Sequence, residues 1–410
     1  MTLLSVEEAR DRILSRFDPV DIESIPLAVA AQRVLARDIA AESDLPSFDN
    51  SSMDGFAVRA GDVADVNPAL PRRLRVIADI PAGSSPAITL SPGEAARIMT
   101  GAQLPAGADA VVPVEDTDFD NRDAGSAPPE HVVIRKPLKT GDNVRPRGMD
   151  LHTGDIVLRK GRTLKPQDVG LLAMLGWAQV DVYRLPRVAL FSSGDELLGV
   201  GTPLEPGKIR DSNSYMLASL IRSAGAEPVH LGVARDNFAS VKETLDKIQT
   251  QKIDLILSSA GVSVGAFDFV KDVIESNGKL DFWRVNMRPG KPLAFGGYQN
   301  VPFIGLPGNP VSAFVGFEVF VRPALGRLGG ISDGIRRTVR VRCEQEINSD
   351  GRESYLRAAV REQNGVLLAR LTGHQGSGNL LSLVQADALL IIPAGVKCVP
   401  AGQEVYAWLL

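Results

Sequence analysis

The sequence predicts an α/β plus β protein of several domains, built around a central doubly wound parallel α/β domain. Its 410 residues exceed what one hydrophobic core ordinarily serves, so two to four domains are expected. Between about Arg187 and Leu328, short runs that are apolar on both sides alternate with helix-length segments, the rhythm of a parallel sheet covered on both faces. On either side of this region, short apolar runs are punctuated by Gly and Pro and read as β-rich modules.

At the N-terminus, MTLLSVEEARDRILSRF reads as an amphipathic helix, with Ser5 and Glu8 at capping-box spacing. The segment lacks the apolar centre and small-residue cleavage pattern of a signal peptide, and no apolar run reaches membrane-spanning length. A cytoplasmic address with no membrane association is the expectation. From about Asp44 to Lys139, the runs LRVIADIPAG, ARIMTGAQLPAGADAVVPVE and HVVIRKPL give the β-rich module, interrupted by a polar, Pro-rich loop from Asp120 to Glu130. In the central domain the strands are RVALF, EPVHLGV, DLILSSA, LDFWRV and VPFIGL. The intervening helices are NSYMLASLIRSAG, FASVKETLDKIQT, FVKDVIESNG and PVSAFVGFEVFVRPALGRL. From about Ile335, TVRVRCEQEI, YLRAAVREQ, GVLLARL, ALLIIPAG and VYAWLL predict a small C-terminal β-domain.

A net charge of -4 gives no general attraction to nucleic acid or anionic membrane, so any polyanion must be held by a local site. Cys343 and Cys398 read as reduced core residues. His131, His152, His230 and His374 lack zinc-ligand spacing.

Open parallel sheets bind ligands beyond the carboxyl ends of their strands, so the chemistry is sought there. The first strand is followed by Asp195 and Glu196, the second by Asp236, and the third by GVSVGAFD with Gly261, Ser263, Gly265 and Asp268. Arg284 closes the fourth strand, and Arg288 and Lys291 follow it. GLPGNP follows the fifth, with Pro307 and Gly308 in the turn, Asn309 placed to cap and Pro310 to start the next helix. Gly-containing loops leading into helix starts suit phosphate or oxyanion. A plain connection with good capping is the competing interpretation of GLPGNP, as a bare cap is for Asp268 and a surface ion pair for Arg284. Carboxylates crowded on one rim, facing cations, suit Mg²⁺ bridging to phosphate oxygens, while the basic side would draw an anionic metal donor. In the β-rich module, SSMDG reads as turn chemistry, with Asp54 able to bond its own backbone and Gly55 tolerating positive φ, and Thr100 precedes a flexible Gly101. No Ser–His or Cys–His pairing is evident, so positioning rather than covalent catalysis is expected.

The segments NSSMDGFAVR, RIMTGAQLPAGADAVVPVED, VRPRGMD, VALFSSGDEL, GVARDN, AGVSVGAFDF, FWRVNMRPGKPLAFG, IGLPGNPVSA and TGHQGSGNLLSLVQADALLIIP run in family order from about Asp44 to Pro393. Together they closely resemble the molybdenum insertase family, known as MoeA in bacteria and as the E domain of gephyrin in animals. The resemblance implies a homodimer of four-domain subunits. Residues 1–43 and 140–174 would form a discontinuous linking domain, 44–139 the β-rich domain, 175–328 the molybdopterin-binding domain and 329–410 the C-terminal β-domain. It implies adenylylated molybdopterin and molybdate as substrates, Mg²⁺ as cofactor, and release of AMP. Molybdopterin adenylyltransferase and acceptor molybdoenzymes become partners.

Carried onto this sequence, the family's functional positions are Asp54, Thr100, Glu196, Asp236, Asp268, Arg284 and Arg288, with Pro307, Pro310 and the linker residue Asp150. The pterin and phosphate would be held by Gly261, Ser263, Gly265, Lys291 and 307–310, and Mg²⁺ by Asp268, Asp236 and Glu196. Asp54 and Thr100 would serve a cleft shared between subunits. Arg288 and Arg284 stand where members often carry Lys, which exchanges a point donor for a planar fork, and Ala260 stands where Gly is usual. A molybdopterin adenylyltransferase and a non-catalytic, gephyrin-like scaffold are the alternative functions.

Overall fold

The structure, a computed structural model, describes residues 3–120, 125–259, 269–331 and 336–410. It divides into two compact units, one of Met1–Arg37, Lys160–Gly170 and Trp177–Leu410, the other of Asp38–Arg159 and Leu171–Gly176. Among the described residues, no helix is long and apolar enough to cross a membrane.

The smaller unit is built on a five-stranded mixed sheet in the order Ala110–Pro113, Gly55–Val58, Glu94–Ile98, Arg72–Ile80, His131–Ile134. Only Arg72–Ile80 and Glu94–Ile98 run parallel. Gly55–Val58 is buried throughout, and strand alternation sends Phe56 and Val58 into one apolar cluster and Ala57 into another on the opposite face. Two features of the SSMDG turn differ from expectation. Gly55 does not take positive φ; a Cβ there would stand 1.9 Å from the Val112 carbonyl oxygen, so the glycine serves close strand approach. Nor does the Asp54 side chain close the turn on its own backbone. Ser51 Oγ does so by accepting from Met53 N at 3.2 Å, which leaves the Asp54 carboxylate directed elsewhere.

In the larger unit, the central sheet has the order Glu227–Ala234, Arg187–Ser193, Leu255–Ser259, Val301–Leu306, Pro292–Tyr298, Gly278–Arg284. The first four strands are parallel. The last two are joined antiparallel, so the expected all-parallel sheet is in fact mixed and has six strands rather than five. The physical reason is connection length. Seven residues, 285–291, separate Arg284 from Pro292, too few for a parallel crossover. Gln299 and Asn300, both at positive φ, then form a two-residue hairpin turn into Val301–Leu306.

Both faces of the sheet are covered, as expected of a doubly wound domain. Val188, Leu190, Leu257 and Ile304 face the helix Asn213–Ser223 and the continuous helical segment from Pro310 to Leu328, which includes a π-helical turn at Phe317–Val321. Phe191, Ile256 and Phe303 face the helices Phe238–Asp246 and Phe269–Asn277. The N-terminal helix Val6–Leu14 carries the capping box: Ser5 Oγ accepts from Glu8 N at 3.1 Å, and the Glu8 carboxylate accepts from Ser5 N at 3.0 Å. Its buried residues Val6, Ala9 and Ile13 join the first core.

The C-terminal strands Thr338–Cys343, Glu353–Gln363, Val366–Leu371, Ala388–Ile392 and Glu404–Leu409 each pair with two others, closing a five-stranded barrel. The two-residue strand Met287–Arg288 adds parallel to the start of Glu353–Gln363, so the segment after Arg284 is stitched onto this barrel. Cys343 is buried, but Cys398 is exposed rather than a core residue, because it lies on a two-residue strand outside the barrel. Both are free thiols.

Candidate functional site

A cavity of about 870 Å³ lies in the larger unit, where the strands Arg187–Ser193, Leu255–Ser259 and Val301–Leu306 end. Ser192, Glu196 and Ser259 enter its wall, and so does the whole of Pro307–Gly308–Asn309–Pro310. The barrel supplies Arg352 and residues 375–378, while Arg288 and Lys291 come from the stitched segment.

Side-chain amides fasten these loops together. Asn213 Nδ2 donates to Ser259 Oγ at 2.8 Å and to the Gly308 carbonyl at 2.7 Å. Asn309 Nδ2 donates to Ser377 Oγ at 3.0 Å, and Val311 N donates to the Ser377 carbonyl at 3.1 Å. Asn309 occupies the N-cap position, but its side chain makes no capping bond because it is turned to Ser377. Pro310 opens the helix as expected.

The cations are concentrated on one wall. Asp350 lies 3.6 Å from Arg288 Nη1 and 2.5 Å from Arg352 Nη2. The Arg352 hydrogen bonds hold the Asp350 carboxyl below its ordinary range. Arg288 and Arg352 share Asp350, and with Lys291 they set three cations against that one carboxylate; Arg210, Asp211 and Glu196 also line the cavity. Behind it, Arg357 is 0% exposed and donates to the carbonyls of His374 and Gln375, each at 3.3 Å, and Gly376 at 2.9 Å, and to Ser382 Oγ at 3.1 Å. Burial, and then repulsion from Arg288, lowers its pKa to about 10, so the guanidinium is charged at neutral pH.

Across the rim, Asp195 and Asp236 each accept from the other's backbone N–H at 3.3 Å. Burial pushes the Asp236 carboxyl above its ordinary value, and the Glu196 and Asp195 charges add to this against the stabilising Asp195 N–H. Among the described residues, no three His, Cys, Asp or Glu side chains stand close enough to hold a metal ion.

Comparison with known proteins matches residues 4–176 to the MoeA N-terminal region (domain I and II), 189–327 to a "probable molybdopterin binding domain", and 340–410 to the MoeA C-terminal region (domain IV). A molybdopterin molybdenumtransferase from Nostoc sp. is 40% identical over 392 residues, covering 94% of this chain and 88% of its own. The chain belongs to the molybdopterin molybdenumtransferase family. The Bacillus subtilis relative of the same name is 37% identical over 420 residues, covering 100% of this chain and 94% of its own. A crystal structure described as the molybdopterin biosynthesis MoeA protein of Pyrococcus horikoshii superposes with a TM-score of 0.84 at 33% identity, covering 100% of this chain and 99% of that one.

In this molybdopterin molybdenumtransferase-family chain, the residues expected from sequence fall into four groups. Glu196, Arg288, Lys291 and 307–310 share the cavity wall. Asp236 stands beside Asp195 outside that wall, and Arg284 is exposed at its strand end, also outside it. Gly261, Ser263, Gly265 and Asp268, with Ala260, lie outside the described residues. Asp54 and Thr100 belong to the smaller unit, where Thr100 N and Oγ1 both donate to Asp54 Oδ1 at 2.7 Å and hold that carboxyl below its ordinary range. In the same unit the linker residue Asp150 accepts from Arg145 Nη2 at 2.8 Å.

Sequence reasoning missed part of the wall, including Ser192, Arg210, Asp211 and Ser259, and the support behind it. Arg352, Asn213 and Ser377 line the cavity and Arg357 holds the loop behind it. Of these only Arg357 left a trace in the sequence, as an arginine inside the apolar strand pattern YLRAAV.

Proposed function

We propose that the cavity inserts molybdenum, taking molybdate and adenylylated molybdopterin as substrates and releasing AMP from the loaded pterin. The observation that carries this reading is the pairing, in one cavity, of a cationic wall of Arg288, Lys291 and Arg352 with the Pro307–Pro310 loop. Arg288, Lys291 and Arg352 attract the molybdate dianion and offset charge that develops as AMP departs. The 307–310 backbone, with Gly261, Ser263 and Gly265 assigned by resemblance, holds pterin and phosphate. Because Asn213 and Asn309 tie that loop to the sheet and to the barrel, both substrates meet a preset geometry, and catalysis is chiefly positional.

Mg²⁺ suits the donors here. Glu196 and Asp236 offer only hard oxygens, and the Asp236 carboxyl, raised first by burial and then by the Glu196 and Asp195 charges, carries a cost that a cation would relieve. Glu196 and Asp236, joined by Asp268, would hold the ion, which when bound neutralises phosphoanhydride oxygens. Asp54, Thr100 and Arg284 are assigned to the reaction by resemblance. A homodimer in the cytoplasm, supplied by molybdopterin adenylyltransferase and emptied by acceptor molybdoenzymes, completes the reading, with domains at 1–43 plus 140–174, 44–139, 175–328 and 329–410.

The decisive experiment supplies purified protein with preformed adenylylated molybdopterin and molybdate, and measures AMP release and reconstitution of a molybdoenzyme. Wild type should do both, Asp268→Ala neither, and Arg288→Ala should need more molybdate at unchanged pterin binding. ATP consumption on free molybdopterin would transfer the assignment to an adenylyltransferase. Absence of both activities, with a partner protein bound tightly, would transfer it to a scaffold.

A further inference from the structure

The larger unit contains a second cavity, of about 570 Å³, whose wall carries Arg33, Arg184, Arg222, Arg322 and Arg336 and, among the described residues, no carboxylate. The carboxylates that serve these arginines stand behind the wall. Asp254 takes Arg184 at 2.6 Å, Glu23 takes Arg33, and the buried Glu318 is shared between Arg322 at 2.7 Å and Arg336 at 2.6 Å. Asp21, 3.5 Å from Arg184, is matched by its own ion pair with Lys252. The Arg222 side chain has no hydrogen-bond or ion-pair partner among the described residues and is exposed. Five cations against three carboxylates leave two positive charges facing the cavity.

The ordinary use of arginines beside helix ends is to serve the last carbonyls. Here those carbonyls are already taken. Leu325, Gly326, Arg327 and Leu328 accept from the N–H groups of Gly329, Ile331, Gly330 and Val20. At the end of Asn213–Ser223, Leu220, Ile221 and Arg222 accept from Ala224, Ala226 and Gly225. Elsewhere Arg33 Nη2 donates to the Tyr183 carbonyl at 2.9 Å, Arg184 Nη1 to the Leu185 carbonyl at 3.3 Å, Arg322 Nη2 to Ser223 Oγ at 3.2 Å and Arg336 Nη1 to the Leu409 carbonyl at 3.1 Å. The Arg222 guanidinium donates to none of the described residues, and Arg33 Nε is a buried donor with no acceptor.

We infer that this cavity binds a compact dianion of the phosphate class, at a site separate from that of the proposed insertion reaction. Guanidinium forks match tetrahedral oxyanions, and the two unmatched charges equal those of a phosphate dianion. The volume exceeds that of a bare oxyanion and, with Tyr183, Leu185 and Ile331 in the wall, leaves room for a small organic group on the phosphate.

The test uses the full chain, with inorganic phosphate and AMP as probes in titration calorimetry, and compares wild type with Arg222→Glu, Arg222→Ala and Arg222→Lys. Arg288→Ala serves as the control for the first cavity. Wild type should bind phosphate in a way that Arg288→Ala leaves intact. Arg222→Glu and Arg222→Ala should weaken it roughly tenfold or more, as loss of a charge-assisted bond predicts, with anion-free melting temperatures close to wild type. Arg222→Lys should keep affinity within about threefold, since the charge survives. Tighter binding of AMP than of phosphate assigns the site to a phosphate monoester, and equal binding assigns it to the free oxyanion. Affinity unaffected by Arg222→Glu, binding lost only in Arg288→Ala, or no binding of either probe to wild type would overturn the inference.

Discussion

Asp236→Asn should make the protein more stable and less active. The Asp236 carboxyl sits above its ordinary value of 3.8, through burial and then the neighbouring Glu196 and Asp195 charges. A raised folded-state pKa means that the folded chain holds this proton more tightly than the unfolded chain does. Ionisation therefore costs stability: nothing well below the ordinary value, and the full amount once the pH exceeds the folded value. Asn keeps an oxygen to accept from Asp195 N, a bond of 3.3 Å, so the substitution removes charge and little else. Burial, the larger cause, adds to a repulsion between neighbouring surface charges of on the order of 1–3 kcal/mol before salt screening, and about 1 kcal/mol remains. For a unit of this size that is about 2 °C in Tm. Thermal melts at about pH 7.5 should show the variant ahead, with the gap shrinking as pH falls toward 4 and as salt rises. Added Mg²⁺ should raise the wild-type Tm more than the variant's, and AMP release should drop in the variant. Equal or lower stability of Asp236→Asn at neutral pH would refute the repulsion argument.

Glu318→Gln should cost about 3–5 kcal/mol in denaturant unfolding, because a fully buried carboxylate shared by Arg322 and Arg336 is removed and two guanidinium groups are left facing each other. Burial raises the Glu318 carboxyl, but the Arg322 and Arg336 hydrogen bonds outweigh this and place it below its ordinary value. Its contribution is therefore complete above the ordinary carboxylate range and lost as pH falls through the folded value, so the gap to the variant should close in acid. Arg357→Met should cost about 2–4 kcal/mol by orphaning the carbonyls of His374, Gln375 and Gly376, and faster hydrogen exchange should be confined to that loop. Gly55→Ala should prevent folding of the smaller unit, since its Cβ would stand 1.9 Å from Val112 O; soluble expression with a wild-type melt would contradict this.

Periodicity made the central domain legible: all four helices of that region, and the strands around Val188, Leu231, Leu257 and Ile304, formed where apolar rhythm placed them. The barrel strands were legible for the same reason, but barrel closure depends on pairing between Glu353–Gln363 and Ala388–Ile392, a long-range contact that no local pattern encodes. The strand Pro292–Tyr298 was hidden because its start, RPGKP, reads as loop and its hairpin turn uses Gln299–Asn300 instead of the usual Gly-containing pair. Among the site residues, charged side chains after strands were visible from topology alone. Arg352 and Ser377 were not, because they reach the cavity only through packing of the barrel against the α/β layer, and Asn213 was not, because a neutral amide at a helix start carries no charge signal.

That hidden strand explains why the cationic wall is well placed. A parallel crossover after Arg284 would have left Arg288 and Lys291 at the start of a long connection, free to sample solvent. The antiparallel return confines both to seven residues, 285–291, anchored by Arg284 at one end and Pro292 at the other. A third restraint lies between, where Met287–Arg288 pairs with Glu353–Ser354, and a fourth where Arg352 Nη1 donates to the Met287 carbonyl at 3.2 Å. The same two-residue pairing that holds Arg288 also sets Arg352 beside it, with Asp350 between. Cations fixed before the anion arrives reorganise little on binding, which is the condition under which charge stabilises a transition state most effectively. Lengthening 285–291 by two glycines should therefore weaken molybdate use far more than it lowers Tm, and an equal loss in both would show that the short return serves only the fold.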